Sequence, residues 1–365
     1  MAMSRHTKVL RQTAPGTAVM EQVPIPVPGK DEVLVKVYAV ALNPYDWKML
    51  YGRVPAVPTV LGCDFAGFVE TVGESVTRVQ PDERVAGMVQ GGNILRPDDG
   101  AFAEYIIAPA HVLLHLPEST SFENGATIPT PAFTAGFCLE HLMGMSVPVD
   151  EPVSTVNGQA AIKEAAREES MLLVYGGASS TGLMQVQMGK LAGMKVLAVC
   201  SKESFDLVRS YGADVVFDYR DAGCEQSLQD FTRGLVRYTV DCISDVQSAA
   251  ICSRAMGAEP GTYISFTANG PEIRHPNVKS VKIVSFTVLG RTFSFGAKGP
   301  TFPVIEDDAT FGGKFAEKLE LLLRDGKLKP LRSEEREGGL TGIVPGLEEL
   351  KAGRVRGQRL VYAVR

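Results

Sequence analysis

The chain has 365 residues, 45% of them hydrophobic, which is enough for two domains and too much for one compact core of ordinary size. Its net charge of −5, with no long Lys/Arg block, excludes a nucleic-acid groove, and no apolar run is long enough to span a membrane. The first residues, MAMSRHTKVLRQT, lack the apolar core and cleavage site of a secretory signal, and the six cysteines (Cys63, Cys138, Cys200, Cys224, Cys242 and Cys252) form no C-x-x-C pair. A cytoplasmic protein with reduced thiols is therefore expected, rather than a disulfide framework or a structural zinc.

In chain order, the first 130 residues are rich in Pro and Gly and carry short apolar runs at 33–40, 65–69, 84–89, 102–108 and 112–116, which predict strands. Pro28-Gly29, Gly73-Glu74 and Asp99-Gly100 mark turns. Residues 146–170 are Pro-containing, then charged and Ala-rich, and read as an exposed insertion with room for one short helix. An apolar run at 172–175 then meets the turn Gly176-Gly177-Ala178-Ser179-Ser180-Thr181-Gly182, a helical pattern through Leu183, Val186 and Leu191, and a second apolar run at 196–199. This is the first βαβ unit of a dinucleotide-binding sheet. Small residues let backbone N–H groups approach a pyrophosphate, and the helix N-terminus adds positive potential. Ser179 stands where the middle glycine of G-x-G-x-x-G would fall, so the turn alone is also compatible with simple packing. The alternation continues, however, with helices at 205–211, 227–235 and 246–256 and strands at 214–219, 238–243, 263–267 and 281–289, which argues for a parallel sheet covered on both faces. After residue 300 the pattern predicts a helix at 314–324 and a last strand at 359–364. Arg354, Arg356 and Arg359 read as a solvated face or an anion contact.

NAD sites carry an acidic residue at the end of the second strand of such a sheet, where it bonds the ribose 2′-OH. Here Ser201-Lys202 stand instead, a hydroxyl and a cation that suit a 2′-phosphate, so NADPH is expected. Glu203 follows and would oppose that phosphate if it turned inward; Lys202 is otherwise an ordinary surface lysine.

The motifs Asn43-Pro44-Tyr45-Asp46-Trp47-Lys48, Gly62-Cys63-Asp64-Phe65-Ala66-Gly67, Asp82-Glu83-Arg84-Val85, Gly100-Ala101-Phe102-Ala103-Glu104-Tyr105 and the closing Gly357-Gln358-Arg359-Leu360-Val361 resemble the medium-chain dehydrogenase/reductase superfamily. The resemblance covers nearly the whole chain. It implies an α/β protein with a GroES-like β domain plus a doubly wound Rossmann domain, and an active site in the cleft. Residues 1–140 and 300–365 are expected to form the GroES-like substrate and catalytic domain, and residues 141–299 the dinucleotide-binding domain. More closely, Tyr175-Gly176-Gly177-Ala178-Ser179-Ser180-Thr181, Cys200-Ser201-Lys202-Glu203-Ser204, Val216-Phe217-Asp218-Tyr219-Arg220 and Asp241-Cys242-Ile243 look like the fungal enoyl reductases that act in trans with polyketide synthases, the lovastatin-pathway type.

Zinc members of the superfamily carry a cysteine near the first motif, Gly-His-Glu at the second and a four-cysteine lobe near residues 95–115. This chain has Asn43, Gly62-Cys63-Asp64 and no such lobe, so no metal is expected. His111 and His115 are four apart but flank the strand-like Val112-Leu113-Leu114.

The resemblance implies NADPH contacts from Tyr45, Asp46, Trp47, Lys48, Gly177, Ala178, Ser179, Ser180, Thr181, Ser201, Lys202, Glu203, Ser204, Tyr219, Phe266, Thr267, Val355 and Arg356. It implies a substrate-binding role for Thr130, Pro131, Ala132, Phe133, Thr134, Ala135, Gly136 and Phe137, and for Phe286, Thr287, Val288, Leu289 and Gly290, segments whose small, apolar and hydroxyl-bearing residues suit a long acyl chain. The same segments also read as a helix start and a buried strand. Tyr45 and Lys48 are the catalytic candidates, since either can donate a hydrogen bond or proton where enolate charge develops. Lys48 could equally hold the cofactor's ribose or phosphate. Asp46 reads as fixing the loop and Trp47 as core.

The implied activity is NADPH-dependent enoyl reduction of an acyl thioester held on the carrier domain of a polyketide synthase, or of a synthase–peptide synthetase hybrid. Two alternatives stay open: a zinc-free quinone or enone reductase acting on small free substrates, and a redox-inactive cofactor-binding scaffold. Superfamily dimers pair through the last sheet strand, and residues 286–289 are apolar enough for that edge. The segment 290–296 could cap it, and a monomer is the expectation.

Overall fold

The structure is a computed structural model that describes residues 5–52, 57–149, 170–266, 270–296 and 299–364. The chain forms two compact units, one running up to Phe133 and resuming at Phe286, the other spanning Thr134–Ser285. Most of the insertion expected at 146–170 lies outside the described residues.

The first unit is built on strands. A hairpin of β1 (His6–Ala14) and β2 (Thr17–Pro24) turns at Gly16, whose φ of 73° suits glycine. β3 (Glu32–Ala41) is buried along most of its length, because it pairs with β5 (Asp64–Val72) on one edge and with β7 (Tyr105–Pro109) on the other. The short β4 (Thr59–Val60) joins β1, while β6 (Arg84–Met88) and β8 (Leu114–His115) extend the main sheet. Between β3 and β4, α1 (Pro44–Gly52) begins with proline at its first helical position, where no N–H is missed. The helices α2 (Phe122–Ala126) and α3 (Pro129–Gly136) follow, and α3 runs on into the second unit.

The second unit holds a six-stranded parallel sheet: β9 (Met171–Tyr175), β10 (Lys195–Cys200), β11 (Val215–Asp218), β12 (Tyr238–Asp241), β13 (Gly261–Ser265) and β14 (Val278–Lys282). Their spatial order is β11-β10-β9-β12-β13-β14, so the order reverses between β9 and β12. That reversal point, at the carboxyl ends of the strands, is where sheets of this type bind dinucleotides. The helices α4 (Ser180–Leu191), α5 (Phe205–Ser210), α6 (Cys224–Thr232) and α7 (Val246–Ala255) connect the strands. β9 and β10 are continuous apolar runs buried on both faces. α4 is buried from Gly182 to Gly189, not only on its apolar stripe.

The apolar pattern predicts one strand over 281–289, and here the structure differs. β14 ends at Lys282, and Ser285–Leu289 forms a 3-10 turn closed by Gly290 at φ 62°. Phe286, Thr287, Val288 and Leu289 are all buried, so this segment offers no edge for strand pairing. Its apolar side chains are satisfied by core packing in the first unit. At this end of the sheet the edge strand is β14, and it carries two exposed lysines, Lys279 and Lys282.

The first unit resumes with β15 (Phe293–Ser294) and β16 (Thr301–Phe302), then α8 (Glu306–Arg324), β17 (Ser333–Arg336), α9 (Ile343–Lys351) and β18 (Arg359–Ala363). β18 inserts between β17 and β3 and so completes the sheet begun three hundred residues earlier. α8 starts eight residues before the sequence pattern suggested. Three acidic residues occupy its first turn, and Gly312 lets it approach the 3-10 turn, since a Cβ there would lie 2.7 Å from Val288 O. Among the described residues, no helix is long and apolar enough to cross a membrane.

Candidate cofactor and active site

In the second unit, the chain leaves β9 at Tyr175 and turns through Gly176, at φ 73°. The N–H groups of Gly176 and Gly177 both bond Val199 O, which fixes the turn to β10. Ser179 caps α4, its Oγ accepting from Gly182 N at 3.1 Å. Among the described residues no acceptor takes the N–H groups of Ala178, Ser180 or Thr181. They remain as donors at a helix N-terminus, the arrangement that holds a pyrophosphate. Gly182 is required by packing, since a Cβ there would lie 2.2 Å from Gly176 O. The serine in the middle position is thus compatible with a dinucleotide turn, because it serves as the cap while the glycines on either side make the close approaches. These residues fit a nicotinamide dinucleotide.

β10 and β11 pair in register, Cys200 opposite Asp218. Beyond β10, Lys202–Ser204 form one 3-10 turn, with Ser201 Oγ 3.3 Å from Ser204 Oγ. Lys202 is exposed. Glu203 does not turn inward, because Arg220 Nη1 donates to both its carboxylate oxygens at 2.9 and 3.0 Å. Tyr219 is half-buried with its ring 6.3 Å from that of Tyr175. At the end of β12, Asp241 is fully buried and accepts from Ile243 N, Ser244 N, Ser248 Oγ and Tyr263 OH at 3.0, 2.8, 2.5 and 2.7 Å. Ser244 Oγ in turn accepts from Phe266 N at 3.0 Å, so Phe266 is positioned from β12. Thr267 lies outside the described residues.

The first unit holds Tyr45, Asp46, Trp47 and Lys48 on the opening turn of α1. Asp46 reaches back to Asn43 N at 2.7 Å, as the third residue of a capping box does. Burial, partly offset by the Asn43 N–H, pushes the Asp46 carboxyl up to about 7; the Cys63 thiol faces it, and no nitrogen or oxygen donor reaches its Oδ1. Tyr45 OH donates to Gly91 O at 3.1 Å and accepts from Gln90 Nε2 at 3.2 Å, and its ring meets Phe286 at 4.9 Å. Lys48 Nζ lies 5.8 Å from the Trp47 ring and has no carboxylate partner among the described residues; desolvation lowers its pKa from the ordinary lysine value. Trp47 itself packs against the core.

What holds this turn is a buried charge pair. Arg359 Nη1 lies 2.8 Å from Asp64 Oδ2, both groups essentially sealed from solvent. The guanidinium also donates to the carbonyls of Ala41, Leu42 and Thr127. Asp64 accepts from Asn43 Nδ2 at 2.9 Å and from Thr130 N and Oγ1 at 2.8 and 2.7 Å. Reading Arg359 as a solvated or anion-contacting residue was therefore wrong. It stands in a strand that the sequence pattern did find, but its partner is nearly three hundred residues away, and no local signal marks the pairing.

Of the other implied site residues, Thr130 serves Asp64, and Pro131 through Phe137 are buried in α3 and the π-helical turn after it. Thr134 Oγ1 meets Ser285 Oγ at 2.8 Å. Val355 packs on the core of the first unit, and Arg356 is exposed.

The residues at the second motif do not fit a catalytic zinc. Asp64 is neutralised by Arg359, burial raises the Cys63 thiol well above its ordinary value, and no group of three His, Cys, Asp or Glu converges among the described residues. His111 and His115 have separate partners: His111 Nε2 meets Val288 O at 3.0 Å, while His115 lies between Glu320 and Glu83 at 2.7 and 3.1 Å.

A GroES-like unit and a parallel sheet in this strand order define the medium-chain dehydrogenase/reductase fold. The family model for the alcohol dehydrogenase GroES-like domain matches residues 29–118, and that for zinc-binding dehydrogenases matches residues 180–294. The chain is 39% identical over 352 residues to a trans-enoyl reductase of Alternaria alternata, covering 96% of each chain. It is 38% identical over 363 residues to a trans-enoyl reductase of Aspergillus sclerotiorum, covering 96% of this chain and 98% of the relative. The chain belongs to the trans-enoyl reductase family. Its fold is that of a mycobacterial protein solved in complex with NADPH, with a TM-score of 0.71 at 21% identity over 98% of this chain and 99% of the other.

Proposed function

We propose that the protein reduces the α,β-double bond of an acyl thioester carried by a polyketide synthase, or by a synthase–peptide synthetase hybrid, with NADPH as reductant. The observation that carries the reading is the opening turn of α1 in a trans-enoyl reductase chain. There, two proton-bearing side chains share one helical turn over a charge pair that takes no metal. NADPH, when bound, supplies the hydride for the β-carbon. The π electrons move to the thioester oxygen as an enolate, and a proton added at the α-carbon completes the single bond. Developing charge on that oxygen calls for a preorganised donor. The Tyr45 proton is already given to Gly91 O, whereas the Lys48 ammonium has no carboxylate partner among the described residues, which favours Lys48 as the donor and Tyr45 as the group that shapes its surroundings. Ser201 and Lys202, in place of an acidic residue, support NADPH over NADH.

We place the enzyme in the cytosol, in keeping with its six unpaired cysteines. The exposed lysines of the edge strand β14 support a monomer.

The test is turnover of enoyl-pantetheine and carrier-bound enoyl thioesters against free quinones. Thioester reduction is expected, and quinone turnover alone would sink the proposal. The Lys48→Met variant should lose about 100-fold in kcat with cofactor affinity little changed, while Tyr45→Phe should lose less. A loss confined to cofactor affinity would assign Lys48 to holding NADPH instead.

A further inference from the structure

We propose that Arg220 is a specificity-determining residue for the cofactor: it locks the Glu203 carboxylate and thereby leaves Lys202 free to meet a 2′-phosphate. The inference rests on the NADPH reading above and concerns how this chain achieves it.

Sheets of this type select NAD by a carboxylate just beyond the second strand. This chain has such a carboxylate. Glu203 lies three residues past the end of β10, on the turn that also carries Lys202. Left alone, it could accept a hydrogen bond from a ribose 2′-OH and would repel a 2′-phosphate. The parallel register brings its lock alongside. Cys200 pairs with Asp218, so Arg220 leaves β11 beside the turn where Glu203 leaves β10. The backbone there is fixed, because Arg220 N donates to Asp218 Oδ1 at 3.0 Å and Asp221 N to Asp218 O at 3.1 Å. From this anchor one guanidinium nitrogen donates to both carboxylate oxygens, and the guanidinium carbon lies 5.5 Å from the Tyr219 ring centroid.

The charge balance follows. With Arg220 in place, Lys202, Glu203 and Arg220 leave one net positive charge facing a dianionic phosphate. Without Arg220 the remaining pair is neutral, and the carboxylate keeps only its own backbone N–H and the Ser201 hydroxyl as partners. Both members of the Arg220–Glu203 pair are exposed, with side-chain accessibilities of 42% and 65%. An exposed ion pair contributes little to stability, so the variants are expected to fold.

The experiment measures dissociation constants of NADPH and NADH by calorimetry on the full chain without substrate. It compares the wild type with Arg220→Ala, Glu203→Gln and the double variant. Arg220→Ala should weaken NADPH by about ten-fold and leave NADH unchanged or tighter. Adding Glu203→Gln should restore NADPH affinity to within about three-fold of the wild type, because the liberated carboxylate is the cause of the loss. An Arg220→Ala variant with unchanged NADPH affinity would overturn the proposal, as would a double variant that does not recover. A wild type that binds NADH more tightly than NADPH would instead overturn the cofactor reading, and it is measured first.

Discussion

Residues 176–182 and residues 43–48 are both short polar segments following a strand, and they are held in opposite ways. The first is a backbone device. Its backbone bonds run to Val199 or stay within seven residues, and its glycines are there for close approach. The second is a side-chain device. Asn43 is fixed from Asp64 and in turn holds Asp46 through its backbone N–H; the Asp64 charge is met by Arg359 and its second oxygen is filled by Thr130. A backbone site tolerates changes of side chain as long as the shape is kept, whereas a buried charge assembly fails as a unit, because removing one partner leaves the other uncompensated.

The largest effect should come from breaking that assembly. Arg359→Met leaves Asp64 buried and unpaired, and should cost about 3–5 kcal/mol in urea unfolding. Adding Asp64→Asn should return much of that loss. Simple additivity of the two single losses would show that the groups do not act as a unit.

Asp46 sharpens the contrast through pH. Its carboxyl stands at about 7 in the fold against 3.8 ordinarily, so between those values the folded state holds a proton that the unfolded chain has released. Wild-type stability should therefore fall as pH rises through that window, by a few kcal/mol in all. The Asp46→Asn variant keeps an acceptor for Asn43 N and should lack this slope. Parallel stability–pH curves for the two proteins would refute the assignment.

The smallest of the three effects tests the backbone device. Gly182→Ala drives a Cβ toward Gly176 O and should cost about 1–3 kcal/mol, with weakened binding of the nicotinamide cofactor. Unchanged melting temperature and cofactor affinity would mean that the turn yields where the geometry says it cannot.

The parallel sheet was legible in the residues because continuous apolar strands alternate with helices and a glycine turn opens the first helix. The first two strands were not picked out. β2 is almost entirely exposed, so no buried face patterns its side chains. The 3-10 turn at Ser285–Leu289 was read as strand, since four consecutive apolar or β-branched residues look the same whether they are paired or simply buried. The candidate site divides along the same line. Ser179, Gly182, Ser201 and Lys202 announce themselves by chemistry at a fixed distance from a strand end.

By itself the sequence determined the α/β fold class, the strand–turn–helix unit at 172–191 and the family, all of which rest on local spacing or on ordered motifs. Only the tertiary structure decided that Arg359 is a buried counter-ion, that Glu203 is held by Arg220, and that Asp46 sits where burial raises its pKa. These are properties of desolvation and of pairs distant along the chain. Both depend on which groups the fold brings within about 3 Å of each other, a distance no spacing rule encodes.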